Sequence, residues 1–415
     1  MSEEAIPKIE GHAAFYAHLR SGHVDKAQAI GLENDRFIEK ILFGRKYWEA
    51  PIITSRICGI CPTIHNMTSV RAIEAACNLK PTEQTKKLRK LMLAGQMIQS
   101  HSLHLYLLVL PDFVGASSSF ELQKSHPELF QNAIELKKYA DQIIETIGGR
   151  AVHPISNVPG GFKSYPSIEQ LKKLQASGQK ILDISLATIN LFEGFGYPDV
   201  KHDMIESALH KDHEFAFYDG EIWNSKGTIF TADEYTKYIH EEIKPYTRAK
   251  FGTLKGKVML VGSLARIKLG LTSLRPIRDI IDTTKLLDNL DNPFYNSLAQ
   301  AIENYYFAKL SIDLVDHFIE KGIKKEEVQI PTEYGIGTAA CEAPRGTLFH
   351  HYELDKNGYI VKADIVTPTV QNLPAIEMDM KNLEPIIGHM NAEDRKVIIE
   401  KLIRAYDPCI TCATH

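Results

Sequence analysis

The 415-residue sequence lacks features that would assign it to several common protein classes. Its 48 basic side chains are outnumbered by 52 acidic ones, and no basic run is longer than Lys86-Lys87, which argues against a nucleic-acid-binding protein. The longest apolar stretch, Leu103 to Leu110, is too short to form a transmembrane segment. The acidic N-terminus has no apolar signal-peptide core. We therefore expect a soluble, cytoplasmic protein.

Cysteine is also scarce, and six cysteines in a chain of this length do not form a disulfide scaffold. Four of them nevertheless fall into two Cys-x-x-Cys pairs, Cys58/Cys61 and Cys409/Cys412. The other two, Cys77 and Cys341, are isolated, and we interpret them as small buried side chains. The sequence has no Gly-x-Gly-x-x-Gly motif, so a dinucleotide-binding fingerprint is missing.

The apolar periodicity predicts a mainly α protein with β elements (α+β), in which a large helical-bundle body carries small peripheral sheets. We expect one compact unit over residues 1–415. Its predicted segments are an N-terminal β-containing segment (1–50), central helices (51–200), mixed strands and loops (201–270), further helices (271–325), and a C-terminal strand-and-loop and metal-binding segment (326–415). Helices are predicted at Thr82–Val109, Pro127–Ile147, Ile168–Phe195, Ser273–Leu290, Pro293–Lys321 and Ala392–Arg404.

Each cysteine pair is followed by a histidine: His65 comes four residues after Cys61, and His415 three residues after Cys412. A single Cys-x-x-Cys is compatible with half a zinc site, a thioredoxin-like redox pair or part of an iron–sulfur site. Four thiolates at one point would make a soft donor set suited to zinc, iron or nickel. A structural zinc site that joins the two chain ends is the plain alternative, although zinc ribbons usually hold both pairs close in sequence.

The residues around both pairs match a known family. Arg56 to His65 (RICGICPTIH) and Asp407 to His415 (DPCITCATH) resemble the two signatures of the nickel–iron hydrogenase large (catalytic) subunit. Further similar motifs occur in the family's order: Ile9-Glu10-Gly11-His12, Ser100-His101-Ser102-Leu103-His104, Pro111-Asp112-Phe113, His153-Pro154, Pro159-Gly160-Gly161, Glu342-Ala343-Pro344-Arg345-Gly346 and Thr367-Pro368-Thr369. Gly44-Arg45-Lys46 and the C-terminal Cys412-Ala413-Thr414-His415 look most like the soluble cofactor-coupled group.

The resemblance implies reversible heterolytic cleavage of dihydrogen to protons and electrons. That reaction needs a soft redox-active metal with an open coordination position and a nearby base for the proton. By the resemblance, all four cysteines hold nickel, Cys61 and Cys412 also bridge to an iron with carbonyl and cyanide ligands, and Cys58 and Cys409 are terminal. A terminal thiolate is the more basic sulfur, which makes Cys409 or Cys58 the expected first proton acceptor.

The same resemblance implies roles for residues around the metals. Glu10 is the expected next proton carrier, although a glutamate chosen at random is most often a solvated surface residue. His65 is expected to donate a hydrogen bond to Cys61. Arg345 is expected as a fixed cation over the metals, with Asp112 and Asp407 close by, although Asp407-Pro408 is also a common way to start a turn. The hydroxyl of Thr369 is expected to donate to the second cyanide.

A second, hard metal ion is also implied. Glu39, the backbone carbonyl of Ile365 and His415 are its expected ligands, and a mainly oxygen donor set favours Mg²⁺ (or Fe²⁺). The ordinary alternative for Glu39 is an exposed charge on a helix.

Cys77 and Cys341 are too few for an iron–sulfur cluster, so a partner must carry the electrons. We expect an iron–sulfur small subunit together with further electron-transfer subunits, linked to flavin, nicotinamide, deazaflavin or a heterodisulfide reductase. Nickel-insertion proteins and a maturation protease are expected too, because the final signature residue, His415, is the last residue of the sequence. The alternatives are a hydrogen-sensing homologue, a structural zinc protein, or the quinone-binding relative in respiratory complex I, which lacks the cysteine pairs.

Overall fold

Helices form the body of the protein, which a computed structural model describes over residues 5–20 and 22–415. The helices are α1 (Ile38–Leu42), α2 (Ala50–Thr54), α3 (Pro62–Ala76), α4 (Glu83–Leu103), α5 (Leu110–Val114), α6 (Ser119–Ser125), α7 (Pro127–Gly148), α8 (Ile168–Glu193), α9 (Ser263–Gly270), α10 (Arg278–Asp282), α11 (Asn296–Lys321), α12 (Pro368–Asn382), α13 (Glu384–Ile387), α14 (Ala392–Ala405) and α15 (Ile410–Ala413). This confirms the predicted fold class.

The strands form several small sheets at the edges of this body. They are β1 (Ala13–Arg20), β2 (His23–Gly31), β3 (Asn157–Val158), β4 (Gly161–Phe162), β5 (Ile205–His210), β6 (Glu221–Asn224), β7 (Ile229–Phe230), β8 (Ile239–Ile243), β9 (Lys250–Leu254), β10 (Met259–Leu260), β11 (Ile336–Ala343), β12 (Gly346–Leu354) and β13 (Ile360–Val366). The sheet orders are β1-β2, β3-β4, β8-β9, β10-β5-β6-β7 and β11-β12-β13. The N-terminal sheet and the strands of residues 201–270 are thus confirmed.

Four long helices pack side by side: α4 against α7 and α11, and α8 against α7 and α11. Their ends follow local chemistry. The side chain of Thr82 caps α4 by accepting from the backbone N–H of Thr85, and Ser167 caps α8 in the same way. Helix α7 begins at Pro127 and ends before Gly149, which adopts a left-handed conformation. These four helices confirm the corresponding sequence predictions within a few residues.

The predicted helix Thr82–Val109 is not a regular α-helix along its whole length. Residues His104–Val109 form a π-helical segment between α4 and α5. The following Pro111 has no N–H, and in a regular α-helix its ring would clash with the carbonyl of Leu107. The wider π turn removes this clash and is a common feature of functional sites.

Two predictions for the C-terminal half were wrong. Residues 273–290 form short turns and the five-residue helix α10 instead of one helix. Pro276 removes a backbone donor, and the hydroxyls of Thr283 and Thr284 donate to the carbonyls of Ile280 and Ile281, which competes with helix bonds. Residues 326–415, predicted as strands and loops before the helix Ala392–Arg404, do contain strands β11 to β13, but they also contain the 15-residue helix α12, which begins at Pro368.

No single helix of residues 5–20 and 22–415 is long and apolar enough to cross a membrane. One bent combination, Glu83–Val114 with Ser119–Ser125 at 69°, has the required length and composition when the two parts are taken together. Most residues of α4 within it are buried in the protein.

A buried ionic cluster joins α9, α11 and β11. The guanidinium of Arg266 donates to both carboxylate oxygens of Glu303, at 2.7 and 2.6 Å, and to Glu342 at 3.0 Å. It also donates to the carbonyls of Ala343 and Pro344, at 2.8 and 3.0 Å. Arg266 thereby fixes the backbone immediately before Arg345.

We predict that Glu303→Gln lowers the free energy of unfolding by about 3 kcal/mol, because a buried guanidinium loses its main counter-charge. Burial opposes ionisation of Glu303, but Arg266 outweighs it and lowers the pKa from 4.5 to about 2. The contribution is therefore complete above pH 4.5 and is lost as the pH falls towards 2. Urea unfolding of wild type and variant at several pH values measures this difference.

The matched control is Glu320→Gln, on the same helix but exposed. We expect it to change the urea midpoint little at any pH. Equal midpoints for Glu303→Gln and wild type at neutral pH would contradict the prediction.

Candidate metal centre

Four buried cysteines meet at one point of the fold. The sulfur atoms of Cys58, Cys61, Cys409 and Cys412 all lie within 4.8 Å of one another. The Sγ–Sγ distances are 3.4 Å for Cys58–Cys409, 3.7 Å for Cys61–Cys412 and 2.8 Å for Cys409–Cys412. All are free thiols. The structure therefore brings together the two pairs that the sequence separates by more than 340 residues.

Both pairs lie where a helix begins. Cys61 is the residue before α3, with Pro62 in the first turn, and Cys409 is the residue before α15. The turn that precedes α3 directs the backbone N–H groups of Ile60 and Cys61 to the sulfur of Cys58, each at 3.3 Å. Such N–H donors stabilise a thiolate and leave its remaining lone pairs free for a metal.

Two residues that the sequence analysis did not single out hold the cysteine segments in place. Arg36 donates to the carbonyl of Ile57 at 2.7 Å and also to the carbonyl of Thr411, so one guanidinium bonds to both segments. Gln96 of α4 accepts from the backbone N–H of Thr63 and donates to the carbonyl of Ile60. Neither residue has a sequence signal, because an isolated Arg or Gln carries no recognisable spacing.

Glu10 lies beside Cys409. The carbonyl of Glu10 accepts from the N–H of Ile410 at 3.0 Å, which makes an isolated parallel bridge between the two chain ends. Its carboxylate accepts from the hydroxyl of Thr411 at 2.6 Å and from the backbone N–H of Thr411 at 3.3 Å. Burial raises the pKa of Glu10, and the negative charge of Cys58 raises it further. The alternative of a solvated surface glutamate does not fit this position.

Arg345 lies on the turn between β11 and β12 and pairs with Asp407. Its Nη2 donates to the carboxylate of Asp407 at 2.8 Å, and its Nε donates to the Asp407 carbonyl at 2.6 Å. Asp407 is itself left-handed, with φ of 51°. That conformation presents both its carbonyl and its carboxylate to one guanidinium.

Among the described residues Asp112 is bonded to cations other than Arg345, and its expected proximity to Arg345 stays a prediction. One carboxylate oxygen of Asp112 accepts from Arg404 of α14, and the other accepts from Lys8. These two cations balance the negative charge of Asp112, which lies at the start of α5.

His65 contacts a different sulfur from the one expected. Its Nε2 is 3.6 Å from the Sγ of Cys412, whereas the sequence analysis predicts a bond to Cys61. Cys61 precedes the helix with a non-helical backbone, at φ −117° and ψ 40°, so its side chain does not lie on the helix face that carries His65.

Thr369 begins α12 near the same sulfurs. Its hydroxyl oxygen accepts from the backbone N–H of Cys409 at 3.0 Å. Together with Arg345, Cys61, His65, Cys409 and Cys412, it lines a small cavity over the sulfurs. The hydroxyl proton of Thr369 is therefore available to a group held in the cavity.

The three expected ligands of a second metal also converge. His415 Nε2 is 2.9 Å from the carbonyl oxygen of Ile365 and 3.7 Å from the carboxylate of Glu39. The ammonium of Lys250 is 3.2 Å from Glu39. Burial opposes ionisation of Glu39, but His415 and Lys250 lower its pKa to about 2. His415 is also bonded to the carbonyl of Cys412 at 2.6 Å, which connects the two sites.

The four cysteines are all buried, but their pKa values do not all shift in the same direction. Burial raises the pKa of Cys409 and Cys412, and the thiols of Cys58 and Cys61 raise both pKa values further. Burial also opposes ionisation of Cys58, but hydrogen bonds from the other three thiols and the charge of Arg345 lower its pKa well below the ordinary value. Four buried thiols this close together oppose one another's ionisation, so a cation is needed to hold all four as thiolates.

Comparison with known proteins identifies this arrangement. The chain matches the nickel-dependent hydrogenase family over residues 36–134 and 197–415. The chain belongs to this family. It is 33% identical to the alpha chain of sulfhydrogenase 2 of Pyrococcus furiosus, over 99% of this chain and 98% of that one. It is 32% identical to one chain of the F420-non-reducing hydrogenase of Methanothermobacter marburgensis, over 100% and 94% of the two chains.

Solved structures of hydrogenases have the same fold as this chain. An NAD⁺-reducing [NiFe]-hydrogenase in its H2-reduced state superposes with a TM-score of 0.88 at 26% identity, covering 99% of this chain and 98% of that chain. A [NiFeSe] hydrogenase from Desulfovibrio vulgaris Hildenborough has the same fold, with a TM-score of 0.75 at 24% identity and coverages of 99% and 98%. The protein is a hydrogenase large subunit, which makes it an oxidoreductase that acts on dihydrogen, as the motifs predicted.

We predict that Cys409→Ser abolishes nickel retention and dihydrogen activation, because a hard hydroxyl replaces a soft thiolate. Metal analysis of the purified protein and dihydrogen-dependent dye reduction measure the two effects. Cys77→Ser is the matched control, since this buried cysteine lies outside the cluster, and it is expected to keep its nickel. A Cys409→Ser protein with full nickel and normal turnover would contradict the assignment.

Proposed function

We propose that the four cysteines hold a nickel–iron centre that carries out reversible cleavage of dihydrogen. Nickel would bind to all four sulfurs, and iron to Cys61 and Cys412 together with carbonyl and cyanide ligands. The observation that carries the proposal is the cluster of four buried sulfurs within 4.8 Å. When bound, the centre supplies a soft, redox-active Lewis acid that polarises dihydrogen.

The cavity over the sulfurs fits such a centre. Arg345 lines this cavity, and its buried Nη1 has no hydrogen-bond partner among the residues that the structure describes. A buried N–H without an acceptor is costly, so an anionic acceptor in the cavity would satisfy it. A cyanide ligand on iron would be such an acceptor. The hydroxyl of Thr369 would donate a hydrogen bond to a second cyanide. Because a guanidinium does not deprotonate, Arg345 acts as a fixed cation.

The proton leaves through residues of this chain. A backbone bridge places Glu10 beside Cys409, and the Glu10 carboxylate accepts from the hydroxyl of Thr411, two residues further along the chain. Burial raises the pKa of Glu10, which makes its carboxylate a better proton acceptor than an ordinary glutamate. We therefore assign Cys409 Sγ as the first acceptor and Glu10 as the next carrier. Asp407 keeps Arg345 in place over the cavity. Asp112 bonds to Arg404, and we propose that it lies near the same site.

A second metal, Mg²⁺ or Fe²⁺, is proposed at Glu39, Ile365 and His415. The support is the position of the His415 imidazole, whose Nε2 lies 2.9 Å from the carbonyl oxygen of Ile365 and 3.7 Å from the carboxylate of Glu39. The low pKa of Glu39 keeps the carboxylate anionic at neutral pH, as a hard cation requires. Lys250 supplies a further positive charge beside Glu39.

Electrons must pass to a partner that carries iron–sulfur clusters. The segment that leads into Cys58 exposes Phe37, Phe43 and Trp48, with 64%, 64% and 49% of each side chain accessible, and Ile41 beside them. Exposed aromatic residues in one short segment are typical of protein interfaces. We propose that the iron–sulfur small subunit docks here, close to the nickel ligand Cys58.

The relatives are named as single subunits of larger hydrogenases, and one of them belongs to an NAD-reducing hydrogenase. They support an assembly with further electron-transfer subunits. Nicotinamide, flavin, deazaflavin and heterodisulfide-reductase coupling remain the proposed alternatives for the acceptor. A maturation protease, nickel-insertion proteins and a cytoplasmic location also stay predictions.

Metal analysis and infrared spectroscopy test the proposed function. We expect nickel and iron at near equal amounts and infrared bands from carbonyl and cyanide bound to iron. Zinc alone, without these bands, would favour a structural site instead. A hydrogen sensor would show the same metals and bands with little turnover, so dihydrogen-dependent dye reduction distinguishes it.

We predict that Glu10→Gln slows the exchange of dihydrogen with deuterated water by about 100-fold or more, because it removes the titrating group and keeps the shape. Exchange measured by mass spectrometry, with metal content measured in parallel, gives the result. Glu10→Asp is the matched control: it keeps a carboxylate one methylene further back and should retain part of the exchange. Unchanged exchange in Glu10→Gln would show that another group carries the proton.

A further inference from the structure

A row of buried side chains continues from Cys412 away from the metal cavity. His65 Nδ1 is 3.3 Å from His350 Nε2, and His350 Nδ1 is 2.8 Å from the hydroxyl of Tyr352. The Tyr352 hydroxyl is 2.9 Å from that of Ser69. With the contact from His65 to Cys412, these bonds form one continuous chain that no solvent enters, since each of the four side chains is at most 1% exposed.

The fold produces this chain by simple periodicity. His65 and Ser69 are four residues apart on α3 and therefore lie on one helix face. His350 and Tyr352 are two residues apart on β12 and therefore lie on one face of the sheet. Helix α3 packs on β12, so the two pairs meet.

Both imidazoles are buried, and among the described residues neither ring is bonded to a carboxylate. A positive charge on either ring would have no carboxylate to balance it, so both are taken as neutral. A neutral imidazole has one N–H donor and one acceptor nitrogen, so each ring must donate at one end and accept at the other.

The sulfur of Cys412 fixes the direction of the chain. In the proposed centre this sulfur is a metal-bound thiolate, which accepts hydrogen bonds and has no proton to donate. His65 must then carry its proton on Nε2, and its Nδ1 must accept from His350. His350 in turn has its proton on Nε2 and accepts at Nδ1 from the hydroxyl of Tyr352.

We propose that His350 and Tyr352 are positioning residues that hold His65 in the tautomer whose Nε2–H is donated to the sulfur of Cys412. The inference rests on the proposed nickel–iron centre. A donor at a bridging sulfur withdraws electron density from it, and the iron then has less density to share with its carbonyl ligand. The carbonyl stretching frequency therefore reports on this hydrogen bond.

The experiment measures the carbonyl band of the purified, metal-loaded enzyme. Tyr352→Phe removes the hydroxyl donor, and His350→Met removes the ring while keeping a side chain of similar size. Both are expected to shift the carbonyl band to lower wavenumber and to reduce turnover by about 10-fold. His350→Gln keeps an N–H donor near the position of Nε2, and its band is expected close to that of wild type.

Tyr139→Phe is the matched control, because it also removes a buried tyrosine hydroxyl, bonded to Ser311 at 3.0 Å in another part of the protein. Its band is expected to stay in place. Unshifted bands in both Tyr352→Phe and His350→Met, or equal shifts in His350→Gln and His350→Met, would overturn the inference.

Metal loading serves as the readout for any variant that loses its metals. If His350→Met does not load, His350→Gln must load for the inference to hold, and failure of both would overturn it. The proposed function is tested separately, because its failure removes the carbonyl band from wild type itself.

Discussion

The contact between the two ends of the chain is the constraint on which the rest of the site depends. Arg36 bonds to the carbonyls of Ile57 and Thr411 and so holds the segment of Cys58 against the segment of Cys409, while the backbone bond from Ile410 to Glu10 holds the N-terminal segment beside them. Without these contacts neither cysteine pair could contribute to a site of four sulfurs, the soft donor set of the proposed nickel–iron centre. The same bridge places Glu10 beside Cys409, so the proposed metal site and the proposed proton path share one set of backbone bonds.

Much of this site could be predicted, because its ligands lie in motifs with fixed spacing. The cysteine pairs and the convergence of Glu39, Ile365 and His415 followed from the resemblance. The sequence did not reveal α3 as a complete helix: nearly all of its residues are buried, so it has no polar face and no amphipathic period. The partner of His65 was assigned to the wrong cysteine for a related reason, since only the exact start of α3 decides which sulfur its ring contacts.

Residues that stabilise the site through tertiary contacts could not be predicted from the sequence pattern. Arg36, Gln96, Arg266 and Tyr352 each bond to segments far away in the chain, and nothing in their neighbours indicates those bonds. The helix that was wrongly predicted at residues 273–290 has a different cause. Its apolar spacing suits a helix, but a proline removes a backbone donor and two threonine hydroxyls form competing local hydrogen bonds. Local patterns therefore predict ligands and elements better than they predict the buried charges that hold the ligands in place.

Because the two cysteine pairs are far apart in the sequence, the ribosome synthesises them at different times. Cys58 and Cys409 are 351 residues apart. At a synthesis rate of about 5–20 residues per second, the second pair appears roughly 20–70 s after the first. During that interval Cys58 and Cys61 form an isolated dithiol in a growing chain, able to bind other soft metals or to oxidise. For the four-sulfur site to form, the early pair must stay reduced and free of competing metals until Cys409 and Cys412 have been added.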